Sequence, residues 1–302
     1  MQGRLSDFMR PVPAEHVDEA LAFYAARPPG RGPRNLAELR QARAARRVET
    51  SDAAVVVTIA EAAGRSVPVR IITPTGLPPR GVHLDIHGGG FYMDSAARND
   101  TRNQQLADSL GTAVVSVDYR LAPENPWPAA PDDCEAAAVW LTTNTERLFG
   151  TSRLTIGGFS AGSTLAMTTL LRLRDRGVNK EFAGGVLQFG TYDLSGQTPA
   201  GRLITDEYFL DAYTGHVADR TLPDVSPIYA DLHELPPLLL VVGESDILLE
   251  DNTAMASRLA VAGAEVDLRI YQASPHGFTN HPTAMASTAR TDIEHWLLNC
   301  LG

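Results

Sequence analysis

The chain has 302 residues, 44% of them hydrophobic, and a formal net charge of −10. That length can bury a sizeable core, as one large α/β domain or two small ones, and the acidic balance argues against a nucleic-acid or anionic-membrane partner. Two cysteines, Cys134 and Cys300, without C-x-x-C spacing, rule against a disulfide framework, a cysteine zinc site and a thioredoxin-type motif. Reduced thiols, no apolar run near the ~20 residues of a membrane span, and an N-terminus without the apolar stretch of a signal peptide lead us to expect a soluble cytoplasmic protein.

Residues 1–50 read as two amphipathic helices, about 14–26 and 35–47, split by the breaker R-P-P-G-R-G-P-R. They precede any strand signal, so they are expected to cover the body of the protein. From residue 54 the pattern turns to β. Runs 55–59 and 67–72 flank A-E-A-A-G-R-S as an antiparallel pair, and a third run, 82–86, leads into His87-Gly88-Gly89-Gly90-Phe91. Strands then alternate with helices: helix 97–110, strand 113–118, helix 132–145, a strand from 154, a helix after residue 160, and strands 185–189 and 238–242. Helix 250–262, strand 266–271 and helix 283–298 complete the chain. Such alternation predicts an α/β fold, a mostly parallel sheet with helices on both faces. The division expected is N-terminal helices 1–50 and a body 51–302, with residues 190–235, rich in Gly, Pro and aromatics, inserted over the active face as part of a lid.

The strand from 154 ends in L-T-I-G-G-F-S-A-G-S, with Ser160 at the apex of a strand-turn-helix. Side chains at Gly158 or Gly162 would collide with a backbone turning that sharply, and the turn would present the Ser160 hydroxyl at a helix N-terminus that favours developing negative charge. A serine attacks only if a base takes its proton. In a parallel sheet that base belongs just past the carboxyl end of a strand. His276, in the A-S-P-H-G-F loop after 266–271, meets this test better than His281. His83 lies inside a strand, and His16 and His295 lie on helices. The same filter offers Glu244 and Asp246 as the orienting acid, of which Asp246, deeper in its loop, is preferred. Gly88, Gly89 and Gly90 bare the backbone enough for N–H groups to approach a substrate oxyanion, with the Ala161 N–H as partner. No Lys-Ser or Lys-Thr follows the glycines, as a phosphate loop would require. His87 reads as a brace for the glycine loop rather than a metal ligand; no cofactor or metal is expected.

With these residues in place, residues 67–300 resemble the hormone-sensitive-lipase family of α/β-hydrolase esterases, whose microbial members are mostly carboxylesterases. The resemblance rests on His87 to Phe91, on Asp118-Tyr119-Arg120-Leu121-Ala122-Pro123-Glu124, on Gly158 to Gly162, on the segment from Leu235-Pro236-Pro237 to Leu248, and on His276-Gly277-Phe278. It implies an eight-stranded sheet, a helical cap, hydrolysis of short acyl esters through an acyl-enzyme, and Gly88, Gly89 and Ala161 as oxyanion donors. It also implies a homodimer through the last strand and helix. Amide, lactone or drug-ester hydrolysis on the same groups stays open. A binding-only relative would lack the histidine that this chain keeps at position 276. Three positions depart from the family: Phe159 stands where Asp or Thr is usual, Gly162-Ser163 where Gly-Gly is common, and Asp246-Ile247 where Asp-Pro is usual. Phe159 is expected to repack the pocket and alter acyl preference. Phe91, Tyr92, Trp127 and Phe209 are candidate pocket aromatics.

Overall fold

The computed structural model describes residues 5–28, 30–46 and 53–302. Its strands, in chain order, are β1 (Val55–Ala62), β2 (Arg65–Ile72), β3 (Val82–Ile86), β4 (Ala113–Val117), β5 (Leu154–Phe159), β6 (Phe182–Gln188), β7 (Leu238–Gly243) and β8 (Val266–Tyr271). They form one eight-stranded sheet in the order β1-β2-β4-β3-β5-β6-β7-β8. The β1–β2 and β2–β4 pairs are antiparallel, and every later pair is parallel. The central strands β3 and β4 are buried along their whole length, as a sheet covered on both faces requires.

The α-helices are α1 (Ala14–Ala25), α2 (Leu36–Ala45), α3 (Asp100–Leu110), α4 (Ala129–Phe149), α5 (Ala161–Asp175), α6 (Pro199–Leu203), α7 (Tyr208–Thr214), α8 (Leu249–Val261) and α9 (Ala284–Leu301). Helices α4, α5 and α8 pack on one face of the sheet; α3 and α9 pack on the other, with α1 laid on α9. Strand alternation divides the core accordingly. Leu238 and Leu240 of β7 join one apolar cluster, and Leu239 and Val241 join the second.

Several boundaries differ from the sequence reading for identifiable reasons. The β1–β2 hairpin pairs without interruption from Val55↔Ile72 to Ala62↔Arg65. Its turn is Ala63-Gly64 alone, both at positive φ, the turn that matches strand twist, so the A-E-A segment is strand. Helix α4 begins at Ala129, ahead of Pro131, because a proline in the first turn gives up an N–H that has no helical partner anyway. It runs on to Phe149 and stops at Gly150, which adopts a left-handed backbone. Strand β6 starts earlier than expected, at Phe182. The predicted end of the second helix at Arg47, and the boundary near residue 50, lie outside the described residues.

The chain reverses its direction of travel across the sheet between β3 and β5, which are neighbours. At such a switch point two loops leave the carboxyl ends of adjacent strands in opposite directions and a crevice opens between them. The glycine loop follows β3 and Ser160 follows β5. The loops carrying Asp246 and His276 follow the paired strands β7 and β8.

Candidate active site

Ser160 sits between β5 and α5 with φ 53° and ψ −124°, a strained conformation for a residue with a side chain. Its amide donates to the Gln188 carbonyl at 2.9 Å, and its carbonyl accepts the Ser163 amide at 2.9 Å, so both flanks of the turn are fixed. The two glycines are required by contact. A Cβ at Gly158 would fall against the Gly162 carbonyl, and one at Gly162 would fall on the Ile86 carbonyl oxygen. The elbow therefore presses directly against the end of β3.

His276 Nε2 lies 2.9 Å from Ser160 Oγ. On its far side, His276 Nδ1 lies 3.0 Å from Asp246 Oδ2 and 3.2 Å from Oδ1. The carboxylate can only accept, so Nδ1 carries the proton and Nε2 is left as the acceptor for the serine hydroxyl. Asp246 is buried and its Oδ1 also accepts the Leu248 amide at 2.9 Å, which fixes the carboxylate on the ring. The close approach of the two loops depends on Gly243, where a Cβ would overlap the Ser274 carbonyl, and on the Ser245 amide donating to that carbonyl at 3.0 Å. Glu244 accepts the Ala273 amide at 3.1 Å and ties down the base of the A-S-P-H loop. His281 Nδ1 pairs with Tyr24 Oη at 3.0 Å, and His83 bonds Thr155 inside the sheet, where burial drives its pKa down to about 4.

The glycine loop is tied down by its carbonyls. The Gly89 oxygen accepts the Met93 amide at 2.9 Å. His87 Nδ1–H donates to the Gly88 oxygen at 2.7 Å; burial lowers the pKa of this ring and keeps it neutral. Tyr119 was unassigned by the sequence reading beyond its place in a signature. Its ring stacks on His87 with centroids 4.1 Å apart, and its hydroxyl lies 2.9 Å from the His87 carbonyl and 3.3 Å from that of Gly88. The available signal was general: a buried tyrosine hydroxyl needs an acceptor. The Phe159 ring packs where a Gly88 side chain would have to go, with the Arg102 guanidinium 5.3 Å from its centroid.

A cavity of about 150 Å³ opens at Ser160 and His276, walled mainly by Phe91, Phe209, Ile204, Ile247 and Leu248, with Thr191 and Glu207 as its other polar side chains. Phe91 stacks on Tyr213 at 4.0 Å, tying the glycine loop to α7. Of the four candidate aromatics, Phe91 and Phe209 face this cavity. Tyr92 and Trp127 are outside its wall; Trp127 instead donates its indole N–H to Asp224 at 2.9 Å. The arrangement is a hydroxyl with a proton acceptor, an oriented imidazole and a small, largely apolar chamber.

Residues 83–280 match the family model described as the alpha/beta hydrolase fold. The chain is 32% identical over 233 residues to the carboxylic ester hydrolase LipN of Mycobacterium tuberculosis, a match covering 71% of this chain and 61% of LipN, about three fifths of that relative's length. It is 32% identical over 246 residues to the carboxylesterase NlhH of the same organism, covering 74% of this chain and 76% of NlhH. Among solved structures, a hormone-sensitive lipase from a metagenome library superimposes with a TM-score of 0.77 at 29% identity, covering 97% of this chain and all of that one.

Proposed function

The chain belongs to the alpha/beta-hydrolase family, among its hormone-sensitive-lipase-type ester hydrolases, and on that premise we propose that it is a serine carboxylesterase acting on short-chain acyl esters. Ser160 Oγ attacks the ester carbonyl while His276 Nε2 takes its proton. Asp246 holds the imidazole in the required tautomer and stabilises the imidazolium. The amides of Gly88, Gly89 and Ala161 receive the oxyanion, a reading supported by the loop's tied carbonyls and by the place of Ala161 at the start of α5. The tetrahedral intermediate collapses as His276 returns the proton to the leaving alcohol. Water, activated by the same imidazole, then clears the acyl-enzyme.

The observation that carries the proposal is the continuous relay from Ser160 Oγ through His276, 2.9 Å on one side and 3.0 Å on the other. The small chamber supports a preference for short acyl chains. Helices α1 and α2 and residues 190–235 serve as the cap over this chamber, supported by Phe209 in its wall and by the Phe91–Tyr213 stack. The same proposal pairs two copies through β8 and α9; among the described residues the outer edge of β8 is met by Met9 and Arg10 at Ile270, and a mass of two chains in light scattering tests it. A cytoplasmic setting is supported by two free cysteines, and among the described residues no helix is long and apolar enough to cross a membrane.

A panel of p-nitrophenyl esters from acetate to decanoate is the test. The native chain is expected to favour the short members, and Ser160→Ala to lower kcat by about 10⁴-fold or more. Turnover surviving in Ser160→Ala would refute the assignment.

A further inference from the structure

Beside the serine chamber lies a second and larger cavity, about 770 Å³, within the range of small-molecule sites. Five arginines line it, Arg27, Arg46, Arg98, Arg102 and Arg290, against a single carboxylate, Asp94. In a chain with a net charge of −10 this is a marked local reversal of sign. Asp94 serves Arg46 and Arg98 together, at 2.5 Å and 3.1 Å. Among the described residues no salt bridge is formed by Arg27, Arg102 or Arg290. Arg102 is held by neutral partners, donating to Asn280 Oδ1 at 2.9 Å. Burial lowers its pKa first; the carboxylates of Asp85 and Glu294 oppose that shift, and the like charge of Arg290 adds to it. Arg102 and Arg290 are half-buried while Arg27 and Arg46 are exposed; like charges gathered on one cavity repel, and an anion between them relieves that repulsion.

The cavity shares its walls with the catalytic loops. Phe159 precedes Ser160, His87 precedes Gly88, and Thr279, Asn280 and His281 follow His276. The cavity thus abuts the segments that flank Ser160 and His276, although neither residue stands in its wall. We infer that the cavity selects substrates that carry an anionic group, a carboxylate or phosphate, several bonds from the scissile ester. The inference rests on the esterase proposal and adds the substrate class to it. Phe159 contributes directly, because its ring lies under the Arg102 guanidinium and leaves that charge available, where the aspartate usual in relatives would neutralise it.

Two matched ester pairs test this, each an anionic ester and its methyl-capped neutral counterpart. Mono-(4-nitrophenyl) glutarate carries the charge on the acyl side, and 4-carboxyphenyl butyrate carries it on the alcohol side. At least one anionic ester is expected to exceed its neutral counterpart in kcat/KM by about tenfold or more, chiefly through KM, with the advantage shrinking in high salt. The advantage should fall towards one in Arg102→Met and in Arg27→Met, whose side chain is exposed and lies over the Phe23 ring, and persist in Arg102→Lys. Neutral esters hydrolysed as well as or better than both anionic ones, or an advantage unaltered by Arg102→Met, would overturn the inference and leave the esterase proposal standing. If no ester of either kind is cleaved, the esterase proposal is what fails. Glutarate titrated calorimetrically into Ser160→Ala then decides whether the cavity takes anions: binding weakened in the added Arg102→Met supports it, and no binding overturns it.

Discussion

Tyr119 illustrates how much of the site depends on side chains that touch no substrate. Its hydroxyl and the His87 ring together fix the His87 and Gly88 carbonyls, and with them the peptide planes of the glycine loop proposed to hold the oxyanion. Tyr119→Phe keeps the stack on His87 but drops the hydrogen bonds, so we predict a loss of about fivefold in kcat with little change in KM, the scale of about 1 kcal/mol for a hydrogen bond. Unaltered kcat would mean that the His87 bond alone holds the loop. Phe159→Asp places a carboxylate beside Arg102 and is predicted to shift the ester preference, with anionic substrates losing most; an unchanged panel would count against any role of Phe159 in selection. Ser160, Asp246 and His276 were legible because each stands immediately beyond a strand, where a parallel sheet concentrates reactive groups. Tyr119 was not legible in this role, because its acceptors lie in another loop and are backbone atoms without a residue-type signature.

Among elements, the elbow and the inserted segment carry opposite lessons. Its glycines announce the elbow, and contact enforces them: Gly162→Ala is predicted to cost about 2 kcal/mol or more and to lower Tm by several degrees, because the β3 backbone must yield. A variant with native Tm would show that β3 moves freely there. The segment between β6 and β7 reads in the sequence as an insertion over the active face, but its internal order does not, because part of it comes from a buried carboxylate that binds backbone amides. Asp193 accepts the amides of Ser195, Gln197 and Thr198, and Thr198 Oγ1 also lies 3.1 Å from Asp251 of α8. Burial, and then the charge of Asp193, raise the Asp251 pKa to about 6. The folded value lies above the ordinary carboxylate value of 3.8. Its stabilising contribution is therefore complete below about pH 4 and is lost as pH rises through about 6. Asp251→Asn should flatten that dependence and exceed the native Tm at pH 8 by about 2–4 °C, with the difference vanishing near pH 4. Parallel Tm curves for the two proteins would contradict this. At this scale the strand-helix alternation was readable, whereas hairpin length and the start of α4 depended on a tight turn and an N-terminal proline, which local composition does not distinguish from breaks.

For the whole molecule, the sheet order brings four separate loops to one edge and leaves two chambers beside them, one largely apolar and one rich in arginine. The first was foreseeable at its floor, where Phe91, Ser160, Leu248 and His276 stand in loops that follow strands, but not in the wall that Ile204 and Phe209 supply from the insertion. The second was not: its arginines come from the ends of α1 and α2, from the turn before α3, and from α3 and α9. No periodicity marks side chains that meet only when the N-terminal helices are laid beside α3 and α9, and the acidic total conceals them. The account as a whole stands on Ser160 being the activated nucleophile. Mass spectrometry of the native chain after diethyl p-nitrophenyl phosphate treatment measures this most directly. One diethylphosphoryl group on the Ser160 peptide, with labelling slowed by orders of magnitude in His276→Ala, is the predicted result. Labelling at another residue, or at Ser160 with equal speed in both proteins, would contradict it.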